Sequence, residues 1–231
     1  PGDGARRGWY HYTGHDGFKP GSCTIDLWPE VSEYEKLYKT EFVFEDGSPA
    51  YTFSSHDAST VETHFRWMEE YGIDGVFMQR FVAEIRNKSG KFHFNKVLDS
   101  AMESANRHSR AICVMYDLSG MHAGDEDILI NDIKELATRH SLFNHDDNPS
   151  YLYHNGKPLV TVWGVGFNDG RKYGYKEADK IITSLKEMGF SVMLGVPTQW
   201  RTLDGDTIND PVLHALIRRC DIIMPWFVGR Y

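Results

Sequence analysis

Basic residues are in deficit: 25 Lys and Arg stand against 33 Asp and Glu, for a formal net charge of −8. That balance argues against a nucleic-acid backbone as the principal ligand, because phosphate binding draws on clustered Lys and Arg. Cysteine is scarce and odd in number. Cys23, Cys113 and Cys220 have no CxxC spacing, so the redox compartment stays open, and Cys113, set in an apolar segment, reads as a buried free thiol. No run approaches the roughly 18 consecutive apolar residues of a membrane span, and no signal-peptide pattern stands at the start. No linker, short internal repeat, low-complexity tract or heptad register is visible, which removes solenoids and coiled coils.

Catalytic signatures are equally sparse. Eleven His residues are present, but none falls in HExxH spacing. His140 and His145 flank a loop and not one helix face, so no metal site is expected. Gly164, Gly166 and Gly170 depart from GxGxxG spacing, with no capped helix directly behind them, and no cofactor is expected either. A GxSxG elbow is missing, which disfavours acyl transfer. The one metal-based option left is a divalent-ion hydrolase built from Asp117, Asp169 and His122.

What is present is an ordinary globular composition, 41% hydrophobic and 25% charged with a mean hydropathy of −0.47, enough for one sizeable core. Five short β-type segments, 73–78, 111–116, 158–162, 191–195 and 222–224, alternate with helix-like stretches. Such units build a parallel sheet, whose ligands meet the chain at the carboxyl ends of the strands. With strand starts about thirty to just under fifty residues apart, 231 residues hold five or six units, whereas a closed eight-unit barrel usually takes roughly 250 residues. The chain starts at Pro1 without Met and stops at Tyr231 just after a strand, so the expectation is a single partial barrel domain over 1–231.

The helices follow from period and caps. One starts near Ser59, with Ser59 and Glu62 as a capping box, and ends at Gly72. Others carry Val97, Leu98, Ala101 and Ala105, then Leu129, Ile133, Leu136 and Ala137 behind an acidic start at 125–127. The last two place Ala178, Ile181, Ile182, Leu185 and Met188, then Leu213, Leu216 and Ile217, inward. Right-handed crossovers put these helices outside the sheet. Residues 1–56 hold 11 of the 31 Phe, Trp and Tyr residues with no sustained period. They read as a long aromatic-rich loop over the barrel mouth. Its Trp9, His11 and Tyr12 either line a sugar subsite or plug the mouth.

The strand ends carry the candidate chemistry. Asp117, before a Gly-containing loop, is the best acid or acceptor; the alternative is that it braces that loop. Gln79, Arg80 and Arg201 could hold substrate hydroxyls, although an Arg near a barrel rim more often pairs with a neighbouring acid such as Glu84 or Asp204. Tyr116, Trp163, Trp200 and Trp226 complete the candidate substrate-binding set, the tryptophans offering faces for pyranose rings. Asp74 and Asp221 sit at the opposite, stability-bearing end.

Eight ordered segments carry a resemblance: 1–4 (PGDG), 26–34 (DLWPEVSEY), 46–50 (DGSPA), 71–81 (YGIDGVFMQRF), 115–120 (MYDLSG), 162–167 (VWGVGF), 195–201 (GVPTQWR) and 225–231 (PWFVGRY). In them the chain resembles the bacterial glycoside hydrolase family 71/99-like proteins, relatives of endo-α-mannosidases and α-1,3-glucanases. The resemblance implies an α/β fold, a (β/α)8 TIM-type barrel with roughly strands two to six in this chain. It implies hydrolysis of glycosidic bonds in an α-linked oligosaccharide or polysaccharide, and a periplasmic or extracellular location. Family members carry a Glu-x-x-Glu-like pair after a later strand. Nothing here matches it, so the main catalytic carboxylates are expected beyond Tyr231, with Asp117 in a supporting role. The alternative is a non-catalytic carbohydrate-binding barrel.

Overall fold

A computed structural model of the chain describes residues 8–229. The matched segment 1–4 and the end of the segment 225–231 lie outside the described residues. Residues 8–37 form turns and isolated bridges, followed by a hairpin of β1 (Tyr38–Val43) and antiparallel β2 (Pro49–Thr52). Asp46 fixes the turn: its Oδ1 accepts from the Ser48 amide at 2.9 Å and the Ser48 hydroxyl at 2.6 Å, the Asx geometry that favours Asp before a tight turn. The hairpin corrects the reading of 1–56 as loop throughout. Its two strands bury only Thr40, Ala50 and Thr52, so no apolar alternation marks it in the sequence.

From there α1 (Ala58–Glu70) leads to β3 (Gly75–Phe81), and α2 (Val82–Ile85) with α3 (Lys88–His108) leads to β4 (Ala111–Asp117). Next come α4 (Glu126–Arg139), the two-residue β5 (Tyr153–His154) and β6 (Lys157–Trp163). The chain then runs through α5 (Tyr175–Glu187), β7 (Ser191–Pro197), α6 (Val212–Ile217) and β8 (Ile222–Trp226). Five strands pair in the order β3-β4-β6-β7-β8, all parallel, while β5 pairs antiparallel with β6. Among the described residues the sheet is open, with β3 and β8 at its edges, and no barrel closes.

Register decides which side chains share a face. Phe81, Asp117, Trp163, Gly195 and Met224 form one row across the five strands, and Gln79, Met115, Thr161, Met193 and Ile222 form another on the same face. Successive residues of a strand point to opposite faces, so Ile112, Val114, Tyr116, Val160, Val162, Val192, Leu194 and Val196 turn the other way. All eight are fully buried, against Leu98 and Ala105 of α3, Leu129 and Ile133 of α4, and Ile181 and Leu185 of α5. Each such aliphatic side chain contributes about 1.5–3 kcal/mol on burial. The first face is only partly covered: Phe77 is 39% exposed, and Met115, Met193 and Met224 are half-buried.

The helices match the periodic reading, with one correction at a cap. Asp57, not Ser59, is the N-cap residue of α1, and no side chain caps it. Glu62 is drawn across to α3 instead, where it meets Arg107 at 2.6 Å, His108 at 2.7 Å and Ser104 at 2.9 Å. Cys113 is fully buried, and burial pushes its thiol up to about 12. It is the inert core thiol expected from its setting. Asp221 sits at the other end of the sheet, bound to Lys186 at 2.6 Å and accepting from the Val192 amide at 2.8 Å.

Candidate functional site

Asp117 ends β4 on the partly open face. Its Oδ1 accepts from the Ser119 amide at 2.7 Å and its Oδ2 from Gln79 Nε2 at 2.6 Å. The first bond braces the loop after the strand; the second reaches the neighbouring strand end. Asp117 is 3% exposed, whereas Gln79 stands in solvent. A ligand at this end therefore meets Gln79 first. With one N–H held by a carboxylate, the Gln79 amide presents its carbonyl and second N–H outward, an oriented donor and acceptor suited to a hydroxyl group.

Trp163, in register with Asp117, supplies the neighbouring aromatic surface. Its ring meets Trp226 at 5.5 Å and 74°, and Phe167 at 4.8 Å. The Arg171 guanidinium lies 5.0 Å from its centroid. Arg171 is itself fixed by two bonds to Asp169, at 2.9 and 3.0 Å, and by Tyr173 Oη at 2.8 Å, which donates to the Gly164 carbonyl at 2.6 Å. Burial raises the Tyr173 phenol well above its usual range, so it remains a donor. The indole occupies space left by Gly195: a Cβ there would sit 2.5 Å from Trp163 Cδ1. Trp163 Nε1 is buried without a partner. Arg171 and Tyr173 were not among the residues singled out from sequence; their one signal is position in the loop after a strand end, where binding groups concentrate.

Four of the sequence-derived residues lie elsewhere. Arg80 and Tyr116 occupy alternate positions to Gln79 and Asp117, and so face the helices. Arg80 is 2% exposed and binds Asp132 through Nε at 2.6 Å and through its second nitrogen at 2.8 Å, with Asn95 at 2.6 Å. Tyr116 Oη donates to the same Asp132 at 2.6 Å. The pair is structural, and Arg80's partner is Asp132 and not Glu84. Trp200 lies in the loop after β7, packed on the helix-side core, its carbonyl accepting from His214 at 2.8 Å. Arg201 is exposed and covers Trp200 at 4.7 Å. The metal option does not assemble either: Asp169 is bound to Arg171, and His122 lies 3.9 Å from Asp125.

Trp9, His11 and Tyr12 gather at a separate cavity of about 270 Å³. They stand with His56, His93 and Phe94 over a floor of Met78, Val97, Leu98 and Val114, and Gln79 also lines the space. Trp9 stacks on Tyr12 at 6.2 Å, and both rings contact Phe18. His56 stacks on His93 at 5.2 Å and 17°. These rings come from four separate stretches of chain, and nothing in the sequence signals their meeting.

No protein-family model matches the chain, and no curated protein matches it. Among solved structures it is similar to the GH99 endo-α-mannosidase from Bacteroides thetaiotaomicron in complex with bis-tris-propane, at 14% identity over 80% of this chain and a TM-score of 0.41. A second structure of GH99 endo-α-mannosidase from that organism gives 13% identity over 80% and a TM-score of 0.40. The chain spans 59% and 56% of those two chains.

Proposed function

We propose that the carboxyl ends of β3, β4 and β6 form a carbohydrate-binding cleft of glycoside-hydrolase type. The observation that carries this reading is one sheet face on which Asp117 links the two groups: it holds the Gln79 amide on β3 and stands in register with Trp163 on β6, the base of an aromatic surface. Sugars present alternating demands of this kind, with apolar ring faces flanked by hydroxyls that need paired donors and acceptors. The sequence resemblance to glycoside hydrolases points the same way. Asp117 acts as a positioning residue: its carboxylate holds Gln79 and the loop after β4 through charge-assisted bonds.

Hydrolysis needs two carboxyl groups flanking the scissile bond, one to protonate the leaving oxygen and one to assist attack. A second reading, a non-catalytic carbohydrate binder, is favoured by one observation: the acids near the cleft are already engaged, Asp117 with Gln79 and Ser119, and Asp169 with Arg171.

Calorimetric titration of the protein with α-mannan and α-glucan oligosaccharides tests the shared part, and release of reducing ends separates the two readings. Trp163→Ala and Gln79→Ala should each weaken binding roughly tenfold or more. Absence of binding by the unaltered protein to every oligosaccharide would overturn the cleft. Binding without hydrolysis would select the second reading.

A further inference from the structure

The cavity beneath Trp9 and Tyr12 does not belong to the cleft face. Met78 and Val114 lie on the helix side of β3 and β4, in alternation with Gln79 and Asp117. Val97 and Leu98 of α3 close the floor. The space is thus a gap between the sheet and its helix layer, at the free edge of β3, partly open to solvent and walled by aromatic rings.

Its floor suits an apolar ring. A buried hydroxyl without a partner is costly, and the floor of Met78, Val97, Leu98 and Val114 offers none, the polar lining coming from Ser54, His56, Gln79, Arg80 and His93. An aromatic ring fits that floor. An apolar cavity of roughly 150 Å³ already accepts benzene, and this one measures about 270 Å³. Its walls supply the rings of Trp9, Tyr12, Phe94 and His93, against whose edges and faces a further aromatic ring can pack. Gln79 lines the cavity while its Nε2 donates to Asp117 across the strand end. Gln79 therefore borders both the cavity and the cleft.

We infer that this cavity is a binding pocket for an aromatic ring, the aryl or benzyl group of a glycoside whose sugar lies on the other side of Gln79. The sugar half of that statement rests on the carbohydrate reading above; the ring half rests on the cavity alone.

Benzyl alcohol is the probe for the cavity, followed by amide chemical shifts, and benzyl and methyl α-mannopyranoside are compared by calorimetry. Benzyl alcohol should shift the signals of Met78, His93 and Val97, and the benzyl glycoside should bind roughly tenfold more tightly than the methyl one. Val97→Phe fills the floor, and Ser55→Trp, at an exposed rim position, blocks entry without disturbing the core. Each should abolish the benzyl advantage and leave the methyl glycoside unchanged. Benzyl alcohol that shifts none of these signals, or an advantage that survives Ser55→Trp in a protein with an unaltered melting curve, overturns the pocket. Benzyl alcohol bound at these residues while neither glycoside binds leaves the pocket standing and overturns the carbohydrate reading. Equal affinity for both glycosides with no response to benzyl alcohol does the reverse.

Discussion

Replacing Asp132 with Ala should cost the protein a large part of its stability. Asp132 is 1% exposed and accepts three bonds, two from Arg80 and one from the Tyr116 hydroxyl, all between 2.6 and 2.8 Å. Burial alone would lower the Arg80 pKa, and Asp132, together with Tyr116 and Glu135, more than reverses it, so the guanidinium stays charged. Asp132→Ala leaves that charge in the interior with Asn95 as its remaining hydrogen-bond partner. Removing one partner of a buried ion pair typically costs about 3–5 kcal/mol, against a total stability of about 5–15 kcal/mol for a domain.

Urea unfolding measures the change. At a slope of roughly 2–3 kcal/mol per molar, the midpoint should fall by about 1–2 M. Tyr116→Phe removes one bond and leaves the ion pair, so it should cost only about 1 kcal/mol. The double replacement Arg80→Met with Asp132→Leu exchanges both charges for apolar volume, and should be less harmful than Asp132→Ala alone. An Asp132→Ala loss below about 1 kcal/mol, or a double variant no more stable than the single one, would refute the buried-charge argument.

Gly195→Ala should displace the Trp163 indole, because the new Cβ would lie 2.5 Å from Cδ1 and 2.8 Å from Cα of that residue. A destabilisation of about 1–3 kcal/mol with a changed near-ultraviolet circular dichroism spectrum is expected, and an unchanged spectrum would count against the contact. His108 links α3 to Glu69 and Glu62 of α1 at 2.6 and 2.7 Å, and these bonds raise its pKa above the ordinary 6.5. Its contribution is fully present below that value and is lost as pH rises through the raised one. The melting-temperature advantage of the parent over His108→Gln should therefore be larger at pH 5.5 than at pH 8.5, and an equal advantage at both would exclude the ionic link. Asp117→Ala should release Gln79 and weaken oligosaccharide binding, whereas Asp117→Asn, which keeps an acceptor oxygen, should weaken it less. Identical losses in the two variants would deny the positioning role.

Much of the sheet was legible in the sequence because parallel strands covered by helices read as short, nearly continuous apolar runs. The segments around 112–116, 159–162 and 192–196 are of this kind, and each became a central strand. Asp117 and Trp163 share a face because both close their strands and the two strands run in register. Arg80 was misplaced by a single residue: treating Gln79 and Arg80 as one strand-end group ignores the two-residue period, which sends them to opposite faces. Its partner Asp132 lies 52 residues away on α4, and no local pattern announces such a pair. Trp200 belongs to a loop, where period gives no direction, and the hairpin at 38–52 escaped notice because it buries too little to alternate.

The same alternation separates two tasks at one strand end. On β3 and β4 Gln79 and Asp117 stand on the face of the proposed cleft, while Arg80 and Tyr116, one position away, bind Asp132 of α4, and Arg80 also Asn95 of α3. A change at exposed Gln79 reaches the proposed cleft and leaves the core intact. A change at Arg80 or Tyr116 strikes the buried Arg80–Asp132 pair. Binding and stability at this end of the molecule should therefore respond to different residues one position apart, and Gln79, which borders both the proposed cleft and the proposed pocket at the uncovered edge of β3, is the position where a substitution should reach both without passing through the core.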